Sequence, residues 1–579
     1  EWEREKKEKY GRDENEVCHR EPFAADVSEG KYHQLYKLHP YPTKVPHKAI
    51  MKYILHYTQP GDIIFDGFSG TGATAVAAQQ CGNPTEVESL GYKVTSDGKI
   101  FSVNHNGFEE KEISKIGVRK TILNDLSPIA SFISYNYNKP VTNSHEHIFQ
   151  ILNEVEKETE WMYSTIHLHA KEREKILFEL KSSTTPSELK NLYHKYREYM
   201  GIINYVVWSD VFLCPECGCE IVFWHEAVDK KNGKVKKSFK CPVCDASLNK
   251  SVLERAKITY FDNIIGKVIT QSKQVPVLIN YSIDSNRFEK IPDEYDLKLL
   301  KAIDELPLDY WVPSNSLPYG YNTSQPIGSH NFTHVHHFYT KRNLIVLGKV
   351  LAKSTILEAG FGLTRVATQI TKLYRFTYQN GTWGAGGGPL SGTLYIPSLV
   401  KELSIIKQLK TAYEQQISKK GIFGFGNVVN GISSSTSLNF IPDESVDYIF
   451  IDPPFGSNLM YSEINFLWDS WLKVITNNKD EAIINNYQKK GLKEYKDLIT
   501  LCLKEAYRIL KPSRWITVEF SNTSCEIWNV IQNALQEAGF VIANVAILDK
   551  RKESFKAVTS TTAVKQDLVI SAYKPKTEH

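Results

Sequence analysis

The sequence predicts an α/β fold built on a mostly parallel sheet, split by a long middle region. Three observations predict it. Near the start, the apolar run Asp62 to Asp66 leads into a Gly-rich loop and then a helix pattern. From Ser445 to the end, strand and helix patterns alternate at the spacing of βαβ units. Between these stretches lie two close cysteine pairs that belong to neither pattern.

The elements follow in chain order. Residues 1–36 are polar and charged (EWEREKKEKY at the start) and read as an N-terminal helical arm; the chain opens on Glu1 rather than Met, so a processed or longer parent chain is expected. Residues 37–144 form a first α/β segment. In it YPTKVPHKAI leads to the apolar helix pattern MKYILHYT, Pro60-Gly61 turns the chain, Asp62 to Asp66 is a buried strand, Gly67 to Gly72 a loop and Ala73 to Gln80 a helix. Residues 83–118 look inserted, with a hairpin turning at Asp97-Gly98, because the next strand, Lys120 to Asn124, comes only afterwards. Residues 145–204 read as two amphipathic helices, residues 205–280 hold the cysteine pairs, and residues 281–430 show no periodicity that assigns elements. Residues 431–579 return to alternation. Strands are expected at Ser445–Ile451, Trp515–Phe520, Val541–Leu548 and Asp567–Tyr573, and helices at Tyr461–Val474, Tyr495–Leu510 and Ile527–Ala538. A second Gly-containing run, Glu358 to Gly362 (EAGFG), lacks both a preceding buried strand and a following acid, and reads as structural.

Composition narrows the function classes. The chain has 579 residues, 41% hydrophobic and 23% charged, which excludes a mainly disordered chain. No apolar run approaches the ~18 residues that span a bilayer, so no membrane partner is expected, and no secretory leader pattern is present. Nine cysteines, mostly scattered, argue for a reducing, cytoplasmic setting and against a disulfide framework. The net charge of +4 does not exclude nucleic acid, because phosphate affinity depends on local Lys/Arg patches.

Two motifs carry the chemistry. Asp66-Gly-Phe68-Ser69-Gly70-Thr-Gly72 sits between a strand and a helix, where glycines let the backbone turn sharply and approach a ligand. Alone it is a weak signal. Asp125, ending the next strand, can accept ribose hydroxyls, or it can cap the helix beyond Ser127-Pro128. The second motif, Asp452-Pro453-Pro454-Phe455, directly follows the apolar strand VDYIFI. Prolines fix φ and give up donors, so the carbonyls around them are held rigidly. Asp452 and the Pro453 carbonyl can accept both hydrogens of an exocyclic amine, and Phe455 can stack on the ring that bears it. Tyr461 either lines the same pocket or belongs to the core.

Together these residues resemble the S-adenosylmethionine-dependent amino-methyltransferases of DNA, the N6-adenine and N4-cytosine family. Asp66 to Gly72 looks like the family's cofactor loop and Asp452 to Phe455 like its catalytic tetrapeptide. His39-Pro-Tyr41-Pro-Thr43-Lys44, with Pro46, is similar to the segment that packs on the methionine end of the cofactor. The resemblance covers about residues 37–140 and 440–575. It implies a Rossmann-like methyltransferase sheet, with cofactor-binding half 37–144, catalytic half 431–579 and a target-recognition region between them, in residues 281–430. Tyr41, Thr43, Lys44, Asp66, Phe68, Ser69, Gly70, Gly72 and Asp125 would hold S-adenosylmethionine, and double-stranded DNA is the expected partner. An acid at the first tetrapeptide position favours adenine N6 over cytosine N4. An RNA guanine-N2 transferase and an inert nucleic-acid-binding subunit are the competing readings. Restriction–modification or phage defence, with a separate nuclease subunit, is the system the resemblance suggests. The insertion 83–118 departs from the family pattern and makes Asp125 the least secure of the cofactor residues.

The middle region adds a metal site and a basic finger. Cys214, Cys217, Cys241 and Cys244 form two C-x2-C knuckles, the spacing of a closed four-thiolate structural Zn²⁺ ribbon. Cys219 lies nearby but breaks the spacing. Between the knuckles, Lys230, Lys231, Lys234, Lys236, Lys237 and Lys240 surround an Asn232-Gly233 turn, which is either a grip on DNA phosphates or a solvated hairpin. In residues 310–345, His334, His336, His337, Tyr339, Lys341 and Arg342 either touch nucleic acid or are structural; the histidines lack clean metal spacing.

Overall fold

The computed structural model describes residues 1–12, 20–30, 33–103, 109–140, 145–183, 185–418, 423–424, 426–521, 524–549 and 567–576. The chain forms two units. Unit 1 is Glu1–Thr142, Gln415–Asn465 and Val474–His579; unit 2 is Asn143–Glu414 and Phe466–Lys473.

Unit 1 carries the α/β sheet. Its strands are β1 (Val27–Ser28), β2 (Ile63–Asp66), β3 (Lys120–Asp125), β4 (Val428–Ile432), β5 (Val446–Ile451), β6 (Leu510–Phe520), β7 (Val541–Asp549) and β8 (Asp567–Tyr573), in the order β1-β7-β8-β6-β5-β2-β3-β4. β4, β3, β2, β5 and β6 pair in parallel, whereas β8 runs antiparallel between β6 and β7. The mostly parallel Rossmann-like sheet expected from the sequence is therefore present.

Its main helices are α1 (Trp2–Tyr10), α2 (His47–Tyr57), α3 (Ala73–Gln80), α4 (Pro128–Asn138), α5 (Leu492–Ile509) and α6 (Cys525–Ala538), besides the short Gln34–Lys37 and Pro84–Glu88. The central strands are buried on both faces, as parallel strands must be when helices cover them. Alternation along each strand decides which face a residue joins. Ile64, Tyr448 and Phe450 pack with the α2 residues Ile50, Tyr53 and Ile54. Ile63, Phe65, Ile449 and Ile451 pack with the α5 and α6 residues Ile499, Leu503, Ile531 and Leu535.

The N-terminal helix is part of this unit because of one buried cation. Lys6, 1% exposed, reaches Asp62 at 2.9 Å and Asp447 at 3.2 Å, at the entry ends of β2 and β5. Arg12 (2.7 Å from Asp62) and Lys511 (3.0 Å from Asp447) complete the compensation that two buried carboxylates need. The inserted hairpin forms as expected: Lys93–Val94 pairs Lys99–Val103, which pairs Glu109–Lys115, and Gly98 turns with φ 79°.

Unit 2 corrects the reading of the middle region. The long strand Met200–Leu213 pairs antiparallel with Ser164–Ile166, Glu220–Val222, Glu254–Arg255, Gln274–Ile283 and Leu399–Leu403. Residues 145–204 hold three helices rather than two, because a Thr185–Glu188 capping box with Pro186 starts a new one at Pro186–Lys195. Residues 281–430, left unassigned from sequence, contain the helices Glu294–Glu305, Lys341–Lys353, Ile356–Ala367 and Ile405–Ile417. Glu358 to Gly362 lies within Ile356–Ala367, so it is structural, as expected. Among the described residues, no helix is long and apolar enough to cross a membrane.

Candidate functional site

The order of the unit 1 sheet reverses between β2 and β5: the chain steps outward from β2 through β3 to β4, and the other way from β5. In open α/β sheets ligands bind beyond the carboxyl ends of the strands at such a switch point. Asp66 ends β2, Asp125 ends β3 and Asp452 follows β5. These three acids open on one cleft, together with Tyr41, Thr43, Lys44, Phe68, Ser69, Gly70 and Pro454. The cleft is open to solvent.

The Gly-rich loop is held by its own acids. Asp66 accepts the Phe68 N–H at 3.1 Å and the Thr74 hydroxyl at 2.6 Å. Asp125 accepts the Gly70 N–H at 2.8 Å and the Ser127 N–H at 2.9 Å. Asp125 is not itself the helix cap, which is Ser127; its carboxylate ties the loop to that cap residue and faces the cleft. Burial pushes the Asp66 carboxyl up to about 7 and the Asp125 carboxyl up to about 6. Gly72 does not line the cleft but makes the turn. It sits at φ 76°, and a Cβ there would lie 2.4 Å from Ser134 Oγ and 2.6 Å from Asn138 Nδ2.

The segment before α2 closes one side. Lys44 donates to the backbone carbonyls of Tyr36 and of His39, the latter at 2.7 Å, and lies over the Tyr36 ring. Its charge thus folds the segment that presents Tyr41 and Thr43. Thr43 Oγ1 lies 2.9 Å from the Tyr461 hydroxyl, and Tyr461 lines the cleft. Asn465 donates to the Tyr41 hydroxyl and to Ser127 Oγ, both at 3.1 Å, joining three lining segments.

The turn after β5 presents Asp452 and Pro454 to the cleft, and the Tyr495 hydroxyl donates to the Pro454 carbonyl at 2.8 Å. Pro453 and Phe455 do not line it. Phe455 is 7% exposed and packs edge-on against Phe520, with ring centroids 5.4 Å apart. The expectation that it faces a ligand ring is not met in this structure, because the ring completes the core beneath the turn.

Sequence reasoning missed several lining residues. Ser434 and Ser435 line the cleft from the turn after β4, and Ser435 donates to the Gly67 carbonyl at 2.6 Å. The run Ser433-Ser434-Ser435 was the available signal. Glu481 also lines it, accepting the Ser462 N–H at 2.9 Å and the Gln488 amide at 2.8 Å; nothing in its local sequence marked it.

In unit 2 the cysteines converge. Cys214 Sγ lies 3.7 Å from Cys244 Sγ, and Cys217 Sγ lies 3.7 Å from Cys241 Sγ. Tetrahedral zinc with Zn–S bonds of about 2.3 Å separates its sulfurs by about 3.8 Å. Cys219 Sγ is 3.3 Å from Cys241 Sγ, closer than two sulfurs on one zinc should be. The four sulfurs that all lie within 4.8 Å of one another are those of Cys214, Cys217, Cys219 and Cys241, so in this structure Cys219 takes the place in the group that the sequence spacing gives to Cys244. The C-x2-C spacing and the 3.7 Å Cys214–Cys244 separation support Cys244, whereas the mutual grouping supports Cys219. The N–H groups of Cys244 and Val243 pull the Cys241 thiol down to about 6, whereas the crowded neighbouring thiols Cys217, Cys219 and Cys244 are raised.

The six lysines of the finger are all exposed. Lys236 donates to the Glu226 carbonyl and Lys240 to the Asp245 carbonyl, and among the described residues none of the six pairs with an acid. The hairpin is braced by Trp383 and Tyr378, which donate to the carbonyls of Lys230 and Lys231.

The 310–345 candidates are mostly core. Arg342 is buried and forks onto Glu402 with two bonds of 2.6 Å, and the Tyr339 hydroxyl donates to the Ala367 carbonyl. His336 and His337 reach one oxygen of Asp262 through Nε2, at 2.7 and 3.0 Å. These three could be mistaken for a metal triad. However, His337 Nδ1 accepts the Thr333 N–H at 3.2 Å, which places the neutral ring's proton on Nε2 and leaves no lone pair there for a metal.

The family model described as DNA methylase matches residues 1–92 and 446–578. Among solved structures, a putative DNA modification methylase from Thermus thermophilus is 14% identical, with 24% of this chain and 49% of that chain covered and a TM-score of 0.16. A putative methyltransferase from Thermoplasma acidophilum is 14% identical, with 29% and 54% covered and a TM-score of 0.16. A 16S rRNA (adenine(1408)-N(1))-methyltransferase from Catenulisporales acidiphilia is 13% identical, with 30% and 74% covered and a TM-score of 0.17. The chain spans about half the length of the first solved structures it matches. No curated protein matches it.

Proposed function

We propose that the chain is an S-adenosylmethionine-dependent DNA methyltransferase acting on the N6 amine of an adenine turned out of the duplex. The observation that carries this reading is the shared cleft: the Asp66–Gly72 loop, Asp125 and the Asp452–Pro454 turn meet at the switch point of the sheet. The donor set fits the cofactor. Two buried carboxylates suit a ribose diol and an ammonium group, and the Gly70–Gly72 backbone allows close approach. When bound, S-adenosylmethionine supplies an electrophilic methyl carbon.

The chain's own residues do the rest. The adenine amine is a poor nucleophile because its lone pair is delocalised into the ring. Asp452, which faces the cleft, accepts an N–H of the amine, concentrates density on the nitrogen and fixes its direction, so positioning and electrostatics supply most of the acceleration; the Pro453 carbonyl expected from the sequence as a second acceptor does not line the cleft. The Asp452 carboxylate accepts the proton that the amine sheds after transfer; it need not be a strong base, since that proton is acidic only then. Because duplex stacking buries the amine, the base must be flipped into the cleft. Phe455, packed on Phe520, holds the turn rigid in this account.

Family likeness of the flanking segments supports DNA as substrate, and the acid at position 452 supports adenine over cytosine. The exposed lysine finger supports double-stranded DNA as partner through phosphate contacts. Cys214, Cys217, Cys241 and Cys244 are proposed to hold one structural zinc, with no open position for substrate. A restriction–modification or phage-defence role with a separate nuclease rests on family analogy alone. The test is sequencing of modified bases in genomic DNA from cells expressing the wild type or Asp452→Ala. N6-methyladenine at one motif in the wild type only is expected. N4-methylcytosine, or label found in RNA alone, would replace the substrate assignment, and no modification in either strain would favour the inert subunit.

A further inference from the structure

We infer that the two-stranded ribbon Lys257–Ser272 in unit 2 is a DNA-reading element that enters a groove of the duplex, an assignment that rests on the DNA reading above. The strands Lys257–Asp262 and Lys267–Ser272 pair antiparallel, with Thr259 opposite Thr270 and Phe261 opposite Val268. These four residues and Lys257 therefore share one face. That face is open: Phe261 is 56% and Val268 68% exposed. Opposed apolar side chains left exposed on a ribbon mark a surface with a use.

Three features point to nucleic acid as the occupant. The first is charge. Lys257, on the open face, and Lys267, on the opposite face beside the turn, are exposed and pair with no acid among the described residues, and the ribbon's one acid, Asp262, is buried at its turn end. The second is shape. Two strands about 4.8 Å apart with their side chains fit the roughly 12 Å major groove. The third is chemistry: the threonine hydroxyls can bond base edges, and the threonine methyls, Phe261 and Val268 can contact thymine methyls.

The ribbon is also fixed in place, as a reading element must be. Asp262 accepts from both His336 and His337, Asn331 donates to the Thr270 carbonyl at 2.5 Å, and Ser272 donates to the Ser329 carbonyl at 2.9 Å. The buried histidines left without a catalytic use thus have one: they anchor the ribbon's turn end, so that its open face rather than its tip is what meets the groove.

The test uses the full chain with fluorescent duplex DNA, measuring affinity across salt concentrations. Lys257→Gln with Lys267→Gln should reduce the slope of log affinity against log salt by about 2, the loss of two phosphate contacts. Phe261→Ser with Val268→Ser should lower affinity for the motif found by genomic sequencing by about tenfold and leave random duplex unchanged. S-adenosylmethionine binding and sedimentation are measured on every variant. Wild type that binds duplex while both variants match it in slope and motif preference overturns the ribbon assignment and spares the DNA reading. So does a wild-type dimer that Phe261→Ser with Val268→Ser dissociates while DNA affinity stays unchanged. Wild type that binds no duplex overturns both.

Discussion

Gly72→Ala tests whether the cofactor loop depends on one backbone turn. At φ 76° an alanine adopts a left-handed conformation that costs about 1–2 kcal/mol. The added Cβ would lie 2.4 Å from Ser134 Oγ, and that hydroxyl cannot swing away without losing its 2.7 Å bond to Asn430 Oδ1. Overpacking of this kind costs roughly 1–3 kcal/mol. The total, about 2–5 kcal/mol, should appear as a shift of the unfolding transition that S-adenosylmethionine stabilises, which identifies unit 1 in the full chain. Ser134→Ala in the same chain removes the nearest obstacle, so the double variant should recover part of the loss despite giving up the Asn430 bond. A single variant within about 0.5 kcal/mol of wild type, or a double variant whose losses simply add, would refute the steric reasoning.

Lys6→Met should destabilise unit 1 by about 3 kcal/mol in denaturant unfolding, because Asp62 and Asp447 lose the cation between them; an unchanged midpoint would show that Arg12, Arg514 and Lys511 suffice. Cofactor affinity measured by calorimetry should fall about tenfold from pH 7 to pH 5, since Asp125, raised to about 6, must be ionised to accept ribose hydroxyls. The sign for stability is the opposite. Asp66 and Asp125 have folded values above the ordinary one near 3.8, so their contribution is fully present below about pH 4 and is lost as pH rises through 6 to 7. A free protein that gains stability from these groups on going from pH 5 to 7 would contradict that burial. Metal analysis should give one zinc per chain, retained in Cys219→Ser and lost or strongly weakened in Cys244→Ser; the reverse outcome would exchange the fourth ligand.

Six of the eight strands of unit 1 were legible because they are apolar and bounded by turn residues, and because β2 ends in an acid and β5 is followed by one; β1 lay hidden in the charged arm and β4 across the end of the aperiodic stretch 281–430. Unit 2 was opaque for a physical reason. Its core forms around Met200–Leu213, whose partners include Leu399–Leu403, and pairing across so much chain leaves no local periodicity to read. The charged arm concealed its role because Lys6 is buried through two acids that are distant in sequence. The cleft showed the same division. Asp66, Asp125 and Asp452 announce themselves at strand ends, whereas Glu481 and Ser435 reach the cleft only through tertiary folding. Phe455 sits in the tetrapeptide as expected, yet packing against Phe520 decides where its ring goes.

The most direct measurement follows a labelled methyl group from S-adenosylmethionine to duplex DNA with the wild type and Asp452→Asn, alongside cofactor binding by both. Loss of transfer by two orders of magnitude or more, on the scale of about 10²–10³ for removing one oriented transition-state contact, is expected with cofactor affinity unchanged. Equal transfer by the two proteins would contradict the claim that the turn after β5 holds the reacting amine.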